Sequence, residues 1–437
     1  MRHKLKTFTF YQVYVRNYTK EGTFKALIDK LDYIKDLGVK VIQLLPINEI
    51  GVVGRKGKLG SPYSIQDYYK INHELGTLDD FKDLIKEIHD RNMFLIMDVV
   101  FNHTSRDSVL SKEHPEYFYK NKEGKFANHF GDWSDVIDLS YTNNLPLIHY
   151  ITEVLLFYTK LGVDGYRFDV ASLLPNEFYK YAIPQIRKIN NNLILLGEAV
   201  DPDFANFIRE NEGNCCSDSE LYEDGFDLLY RYSNYKLLRQ YLETRDEKFL
   251  TYYKNTFLYE NISLPIDALK IGTIENHDYP RIASFTNNDM LRRNLNAFIF
   301  FIKGSGFIYG GQEAKEIKLP SLFDKDDIST NIVDKDYFLF IKKLVELKAD
   351  KTNLNLIQSN CLDINPKVIC FKNIYKNEDP IIGIFNLSEN NIIVESILLE
   401  NGEYLDLISN KQIKISNNSL ILKEPLYLKK LNNWNLK

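Results

Sequence analysis

FKALIDKLDYIKDLGVKVIQLLP, residues 24–46, changes its hydrophobic period halfway along. From Phe24 to Leu37 the apolar residues recur at helical spacing, Gly38 ends the helix, and Val39 to Leu45 is a continuous apolar run stopped by Pro46. Upstream, Phe8 to Val15 reads as a strand, so the stretch completes a βαβ unit. The alternation continues outward from it. A helix is predicted from about Leu78 to Asp90, a third strand from Phe94 to Val100, and a helix from Leu145 to Leu161 before Gly165. Further strands are predicted at Leu193–Leu196, Phe226–Leu229, Leu269–Thr273 and Gly306–Tyr309, with helices between. With the run that starts at Gly165 and ends at Asp169, eight apolar strands separated by helices predict an α/β fold, a closed (β/α)8 barrel whose catalytic groups gather at the C-terminal strand ends.

Two stretches break the pattern. Thr104 to Leu139 is rich in Ser, His, Asn, Asp and Lys and reads as a short insertion after the third strand. After about Lys351 come short strands such as Val368–Phe371 and Ile381–Phe385, with the turn signals Asn-Glu-Asp-Pro and Glu-Asn-Gly. The predicted organisation is a barrel over 1–103 and 140–350, an insertion over 104–139, and an antiparallel C-terminal β-sandwich over 351–437. A chain of 437 residues has room for that small partner domain beside a barrel.

Composition narrows the function classes. A formal charge of -5 leaves no basic footprint for nucleic acid or anionic membrane, and no apolar run approaches a membrane span. The start, MRHKLKTFTFYQVYV, alternates polar with apolar residues and does not read as a secretory signal. Cys215, Cys216, Cys361 and Cys370 contain no C-x-x-C, which suits free thiols in a reducing compartment, so a cytoplasmic location is expected. The abundant Tyr and Phe read first as core filler and second as platforms for sugar faces. Nothing in the sequence sets an oligomeric state.

Three acidic residues sit where three separate apolar runs end: Asp169 in YRFDVAS, Glu198 in LLGEAV and Asp278 in ENHD. MDVVFNHT repeats the design with Asp98, Asn102 and His103. A carboxylate or His at the end of a buried strand has a desolvation cost unless something uses it, so one site fed by several strand ends is the economical reading. Arg167 lies two residues before Asp169, hence on the same strand face, where it can hold that carboxylate ionised.

DVVFNHT, GYRFDVAS, a Gly-Glu after an apolar strand, and ENHD occur in the order shown by the α-amylase family, glycoside hydrolase family 13, and the chain resembles a small intracellular bacterial member. Further similarity lies in GVKVIQLLPI at 38–47, SPYSIQDYYKINHELGTLDDF at 61–81, GDWSDVIDLSY at 131–141 and GFIYGGQE at 306–313, covering Phe8 to about Glu313. The resemblance implies Asp169 as nucleophile, Glu198 as acid/base, and Asp278 as the third carboxylate that binds sugar hydroxyls. It implies that His103 and His277 hydrogen-bond the sugar, Tyr63 stacks beneath it, and Asp98 braces Arg167. Alone, a strand-end His is more often structural and Tyr63 would be core; the joint pattern reverses that, while the other six histidines read as structural. Retaining cleavage needs one carboxylate to attack the anomeric carbon and a second, protonated one to serve the leaving oxygen. The apolar run before Glu198 suits the raised pKa of that acid.

By the same resemblance Asn102 and Asp138 stand at calcium-ligand positions, but Leu173 stands where a His is common, so no dissociable metal and no other cofactor is expected. The expected activity is retaining hydrolysis of α-1,4 bonds in maltooligosaccharides or related α-glucans. The alternatives are an α-glucosidase or oligo-1,6-glucosidase, suggested by Val170 after Asp169, and a glucanotransferase, sucrose phosphorylase or trehalose synthase using the same site. A barrel that has lost catalysis would have shed carboxylates, and all three are present.

Overall fold

Side chains alternate across a strand, so each barrel strand sends every second residue to the axis and the others to the surrounding helices. The computed structural model describes residues 1–129, 133–211, 213–232 and 234–431. Among them, eight parallel strands form one sheet: β1 (Thr9–Val13), β2 (Val41–Leu44), β3 (Phe94–Val99), β4 (Gly165–Phe168), β5 (Ile194–Gly197), β6 (Leu228–Tyr230), β7 (Lys270–Ile271) and β8 (Gly306–Tyr309). β8 pairs with β1 from Thr9↔Gly306 to Gln12↔Tyr309. A single parallel bridge, Ile271↔Ser305, closes the ring between β7 and β8. Gly165 is required where β4 meets β5, because a Cβ there would stand 2.0 Å from the Ile194 carbonyl oxygen.

Phe10, Val41, Ile96, Leu196, Leu228, Ile271 and Phe307 fill the axis as one buried cluster. Their neighbours Tyr11, Ile42, Leu95, Leu195 and Ile308 point outward into the larger helix-facing core. The helix Leu78–Asp90 forms as its spacing requires. It buries Phe81, Leu84, Ile85 and Ile88, and Thr77 and Asp80 close a reciprocal capping box at its start. Leu145–Leu161 is capped by Asn144 and ends at Gly162, whose φ of 103° suits a residue without Cβ. The single helix predicted from Phe24 to Leu37 is two pieces, Phe24–Ile28 and Leu31–Asp36. Phe24, Leu27, Leu31, Ile34 and Leu37 form one buried face across the break, so the periodicity does not register it. A hairpin of Asn48–Ile50 with Ile65–Ile71, absent from the sequence reading, lies between β2 and the Leu78 helix.

The insertion is rooted on an antiparallel pair, His103–Ser105 with Val136–Asp138. Residues 130–132, which include Gly131 and Asp132 of the GDWSDVIDLSY segment, lie outside the described residues. Beyond the barrel, six antiparallel strands between Leu356 and Lys430 form a sheet, and a two-stranded pair, Ile392–Glu395 with Ser419–Leu422, stands beside it. Val368, Cys370, Ile384, Val394, Tyr404, Leu422 and Leu428 are buried together as one cluster drawn from both sheets. Phe371 and Tyr427 of the larger sheet dock on the barrel helix Asp289–Phe301 through Phe298, at 5.8 Å, and Phe301, at 4.7 Å. Residues 432–437 of the predicted C-terminal domain lie outside the described residues.

Candidate active site

The alternation that fills the axis with apolar groups turns polar near the C-terminal strand ends. Two residues past Phe10, Val41, Ile96 and Leu196 stand Gln12, Gln43, Asp98 and Glu198, and two past Gly165 stands Arg167. Asp98 and Arg167 face each other in register across β3 and β4. Both are buried.

Arg167 organises the site. Its Nη1 donates to Asp98 Oδ1 at 2.9 Å and to Asp169 Oδ1 at 2.8 Å, and its Nη2 lies 2.9 Å from Glu198 Oε2. Three carboxylates thus share one guanidinium, whose carbon sits 5.9 Å from the Tyr63 ring centre and 5.8 Å from that of Tyr230. The sequence reading paired Arg167 with Asp98 and Asp169 and missed Glu198. Val170 N–H donates to Glu198 Oε2 at 2.7 Å. To do so Val170 adopts φ 38°, ψ 48°, a left-handed conformation that costs a β-branched residue roughly 1–3 kcal/mol. Glu198 Oε2 therefore accepts the Val170 N–H and faces the Arg167 guanidinium, which leaves Oε1 to carry a proton. Burial pushes this carboxyl up to about 7, against the pull of Arg167 and with help from Asp169. Burial likewise pushes Asp98 well above the usual carboxylate range, opposed by Arg167.

The turn after β7 completes the cluster. Tyr63 hydroxyl lies 3.0 Å from Asp98 Oδ2 and 2.6 Å from His277 Nε2, and that nitrogen is 3.1 Å from Asp278 Oδ2. Burial holds the His277 imidazole below its ordinary pKa. Asp278 is the open member, with its side chain 42% exposed. The backbone that carries them is anchored from below. Asn276 Oδ1 accepts from Asp278 N and Tyr279 N, while Glu275 takes Arg281 Nη1 at 2.9 Å and Ile282 N at 2.8 Å.

Tyr63, Asp98, Arg167, Asp169, Glu198, His277 and Asp278 are thus one connected group. His103 stands apart from it, buried, 3.3 Å from Asn102 Nδ2 and with the Trp133 ring centre 5.5 Å from its own. Gln12, Gln43, Tyr230 and Trp133 escaped the sequence reading. For the first two, the two-residue offset from an axis-facing apolar residue was the available signal.

Asn102, Asp138 and Leu173 line a separate cavity of about 860 Å³. Among the described residues the donor set there fits calcium poorly. Asp138 Oδ1 already accepts from Asn128 Nδ2 at 3.2 Å and Oδ2 from His129 N at 2.6 Å, and Leu173 offers no side-chain oxygen. Among the described residues no three His, Cys, Asp or Glu side chains are placed to hold a metal ion.

An eight-stranded barrel thus carries three carboxylates on one arginine at its C-terminal end. The catalytic-domain profile of α-amylase matches residues 11–353, and the chain belongs to the α-amylase family. The crystal structure of an α-amylase from Lactobacillus plantarum superposes with a TM-score of 0.89 at 33% identity, over 98% of this chain and 100% of that one. A maltogenic α-amylase from Thermotoga neapolitana does so at 0.83 and 27%, over 98% and 100%. By sequence the chain is 26% identical to a probable oligo-1,6-glucosidase of Bacillus subtilis over 78% of this chain and 69% of that protein. Some relatives are longer. The chain spans 40% of an α-1,4-glucan:maltose-1-phosphate maltosyltransferase from Picrophilus torridus, at 28% identity over 57% of this chain, and 64% of an α-amylase from Dictyoglomus thermophilum. No helix among the described residues is long and apolar enough to cross a membrane.

Proposed function

We propose that the protein is a retaining glycoside hydrolase that cleaves α-1,4-glucosidic bonds in maltooligosaccharides or related α-glucans. The observation that carries this reading is the sharing of Arg167 between Asp169 and Glu198, one of which is raised by burial to about 7. Arg167 takes Asp169 Oδ1, leaving Oδ2 to attack the anomeric carbon as Glu198 Oε1 gives its proton to the departing glycosidic oxygen. The bond from C1 to the leaving oxygen breaks while the bond from C1 to Asp169 forms. Glu198, now a carboxylate, then takes a proton from water, whose oxygen attacks C1 from the opposite side and releases Asp169. Two inversions give net retention.

Asp278 and His277, with Tyr63 beside them, are the proposed grip on the sugar hydroxyls, and His103 with Trp133 a further wall. As Glu198 gives up its proton, the carboxylates around Arg167 outnumber its single charge and leave negative potential where the ring becomes oxocarbenium-like. Full-length likeness to two α-amylases supports the α-1,4 reading. Val170 and the oligo-1,6-glucosidase relative support α-1,6 cleavage as the second reading. Four free thiols support a reducing, cytoplasmic setting. The poor donor set at Asp138 supports catalysis without a bound cation.

Digestion of maltoheptaose, isomaltotriose and maltoheptaose with added glucose, followed by proton NMR of the first products, tests this. Maltooligosaccharides appearing first as α-anomers are expected. First-formed β-anomers would overturn retention, and turnover only with isomaltotriose would give the site to α-1,6 bonds. Longer products made mainly when glucose is present would make the enzyme a transferase.

A further inference from the structure

Gln12, at the axis-facing end of β1, is buried, and its amide meets the far side of the His277 ring. Gln12 Oε1 lies 3.3 Å from His277 Nδ1, while Gln12 Nε2 is a buried donor with no partner among the described residues. Across the ring, His277 Nε2 is 3.1 Å from Asp278 Oδ2 and 2.6 Å from the Tyr63 hydroxyl, itself 3.0 Å from Asp98 Oδ2. These contacts fix where the hydrogens lie. A carboxylate only accepts, so Nε2 must bear a hydrogen to face Asp278. Tyr63 donates its one hydrogen to Asp98 Oδ2, so the Tyr63 oxygen is free to accept from Nε2. In a neutral ring Nδ1 is consequently an acceptor, and the amide of Gln12 is the group that faces it.

The oxygen and nitrogen of a glutamine amide have the same shape and are assigned by their partners. Turning the Gln12 amide by half a turn brings Nε2 against Nδ1 and gives the orphaned donor its acceptor. We infer that Gln12 is a positioning residue: it donates to His277 Nδ1 and so holds the imidazole neutral in its Nε2–H form. This rests on the proposed roles of His277 and Asp278 at the sugar. The charges that act on the ring are Asp278, Arg167 and Asp169, with Asp98 beyond the Tyr63 hydroxyl. Beside them, a neutral ring supplies one hydrogen without pairing off Asp278. An imidazolium would lock Asp278 into an ion pair and withdraw its charge from the sugar.

The experiment is two-bond proton–nitrogen NMR on the full chain labelled with [15N]histidine, from about pH 6 to pH 8. His277→Asn identifies the His277 signals by their loss. The expected spectrum has Nε2 protonated and Nδ1 bare; a protonated Nδ1, alone or with Nε2, overturns the inference. Gln12→Glu, which can only accept, should move the hydrogen to Nδ1 and lower kcat at least roughly tenfold, as a wrong tautomer does elsewhere. Gln12→Met, with neither donor nor charge, should mix the tautomers and lower kcat less. A Gln12→Glu protein with the parental spectrum and rate would also overturn it. The spectrum needs no turnover, so it is independent of the test of the catalytic reading through Asp169→Asn.

Discussion

Two fully buried arginines hold opposite balances of charge. Arg281 meets one carboxylate, Glu275, and spends its other donors on the carbonyls of Tyr309, Gly310 and Lys318, with the Tyr309 ring 3.8 Å from its guanidinium carbon. Arg167 meets three carboxylates, and its Nε has no partner among the described residues. The first is a closed knot that ties the turn bearing His277 and Asp278 to the end of β8. The second leaves excess negative charge in a buried place, which is costly for folding; burial first, and the neighbouring carboxylates after it, keep a proton on Glu198 near neutral pH. One side chain type thus serves stability where charges balance and chemistry where they do not.

The comparison breaks most visibly at the carboxylates around Arg167. Asp169→Asn and Glu198→Gln should each reduce kcat on maltotriose by about 10³-fold or more, with thermal midpoints close to the parent's, since each exchanges a side chain for one of the same shape. Turnover within tenfold of the parent in either variant would end the assignment.

At Arg281 the loss should fall on stability. Arg281→Met strands Glu275 without its cation, and breaking a buried pair from one side costs about 3–5 kcal/mol. A lower urea midpoint is expected. An unchanged midpoint would mean that the carbonyl bonds, not the ion pair, hold the turn.

Arg167→Lys keeps the charge but loses the planar fork. It should lower kcat at least tenfold, about 1.4 kcal/mol, with little change in KM. Parental kcat with only a raised KM would place Arg167 in substrate binding.

The pH profile sharpens the same contrast. Glu198, raised by burial to about 7, is protonated below that pH and loses its proton above it. An acid catalyst works only while protonated, so kcat should fall roughly tenfold per pH unit on the alkaline side. Arg167 opposes the rise, so in Arg167→Met that limb should move to higher pH. A limb that stays put would detach Glu198 from the arginine.

The smallest effect is expected far from both arginines, at Asp138. EDTA followed by gel filtration should leave rate and melting temperature unchanged. A loss restored by calcium alone would show that Asp138 binds a cation in spite of its N–H partners.

What the sequence determined by itself were the features written in local periodicity and spacing. The βαβ reading of residues 24–46, the helices Leu78–Asp90 and Leu145–Leu161, and β8 at Gly306–Tyr309 all follow from burial of one face. The strand-end acids Asp98, Asp169 and Glu198 were legible because a polar residue that ends an apolar run is conspicuous. Arg167 was legible because period two puts it on the same face as Asp169.

The tertiary structure alone decided which of these groups share a partner. Glu198 reaches Arg167 from the neighbouring strand, Tyr63 reaches Asp98 from across 35 positions, and Gln12 reaches His277 from across 265. The break between Phe24–Ile28 and Leu31–Asp36 and the hairpin after β2 were likewise settled by packing, not by pattern. Hydrophobic period specifies which side of a strand is buried, but closure of the barrel specifies which buried polar groups must satisfy one another. That pairing depends on distances between strands, to which no single segment of chain has access.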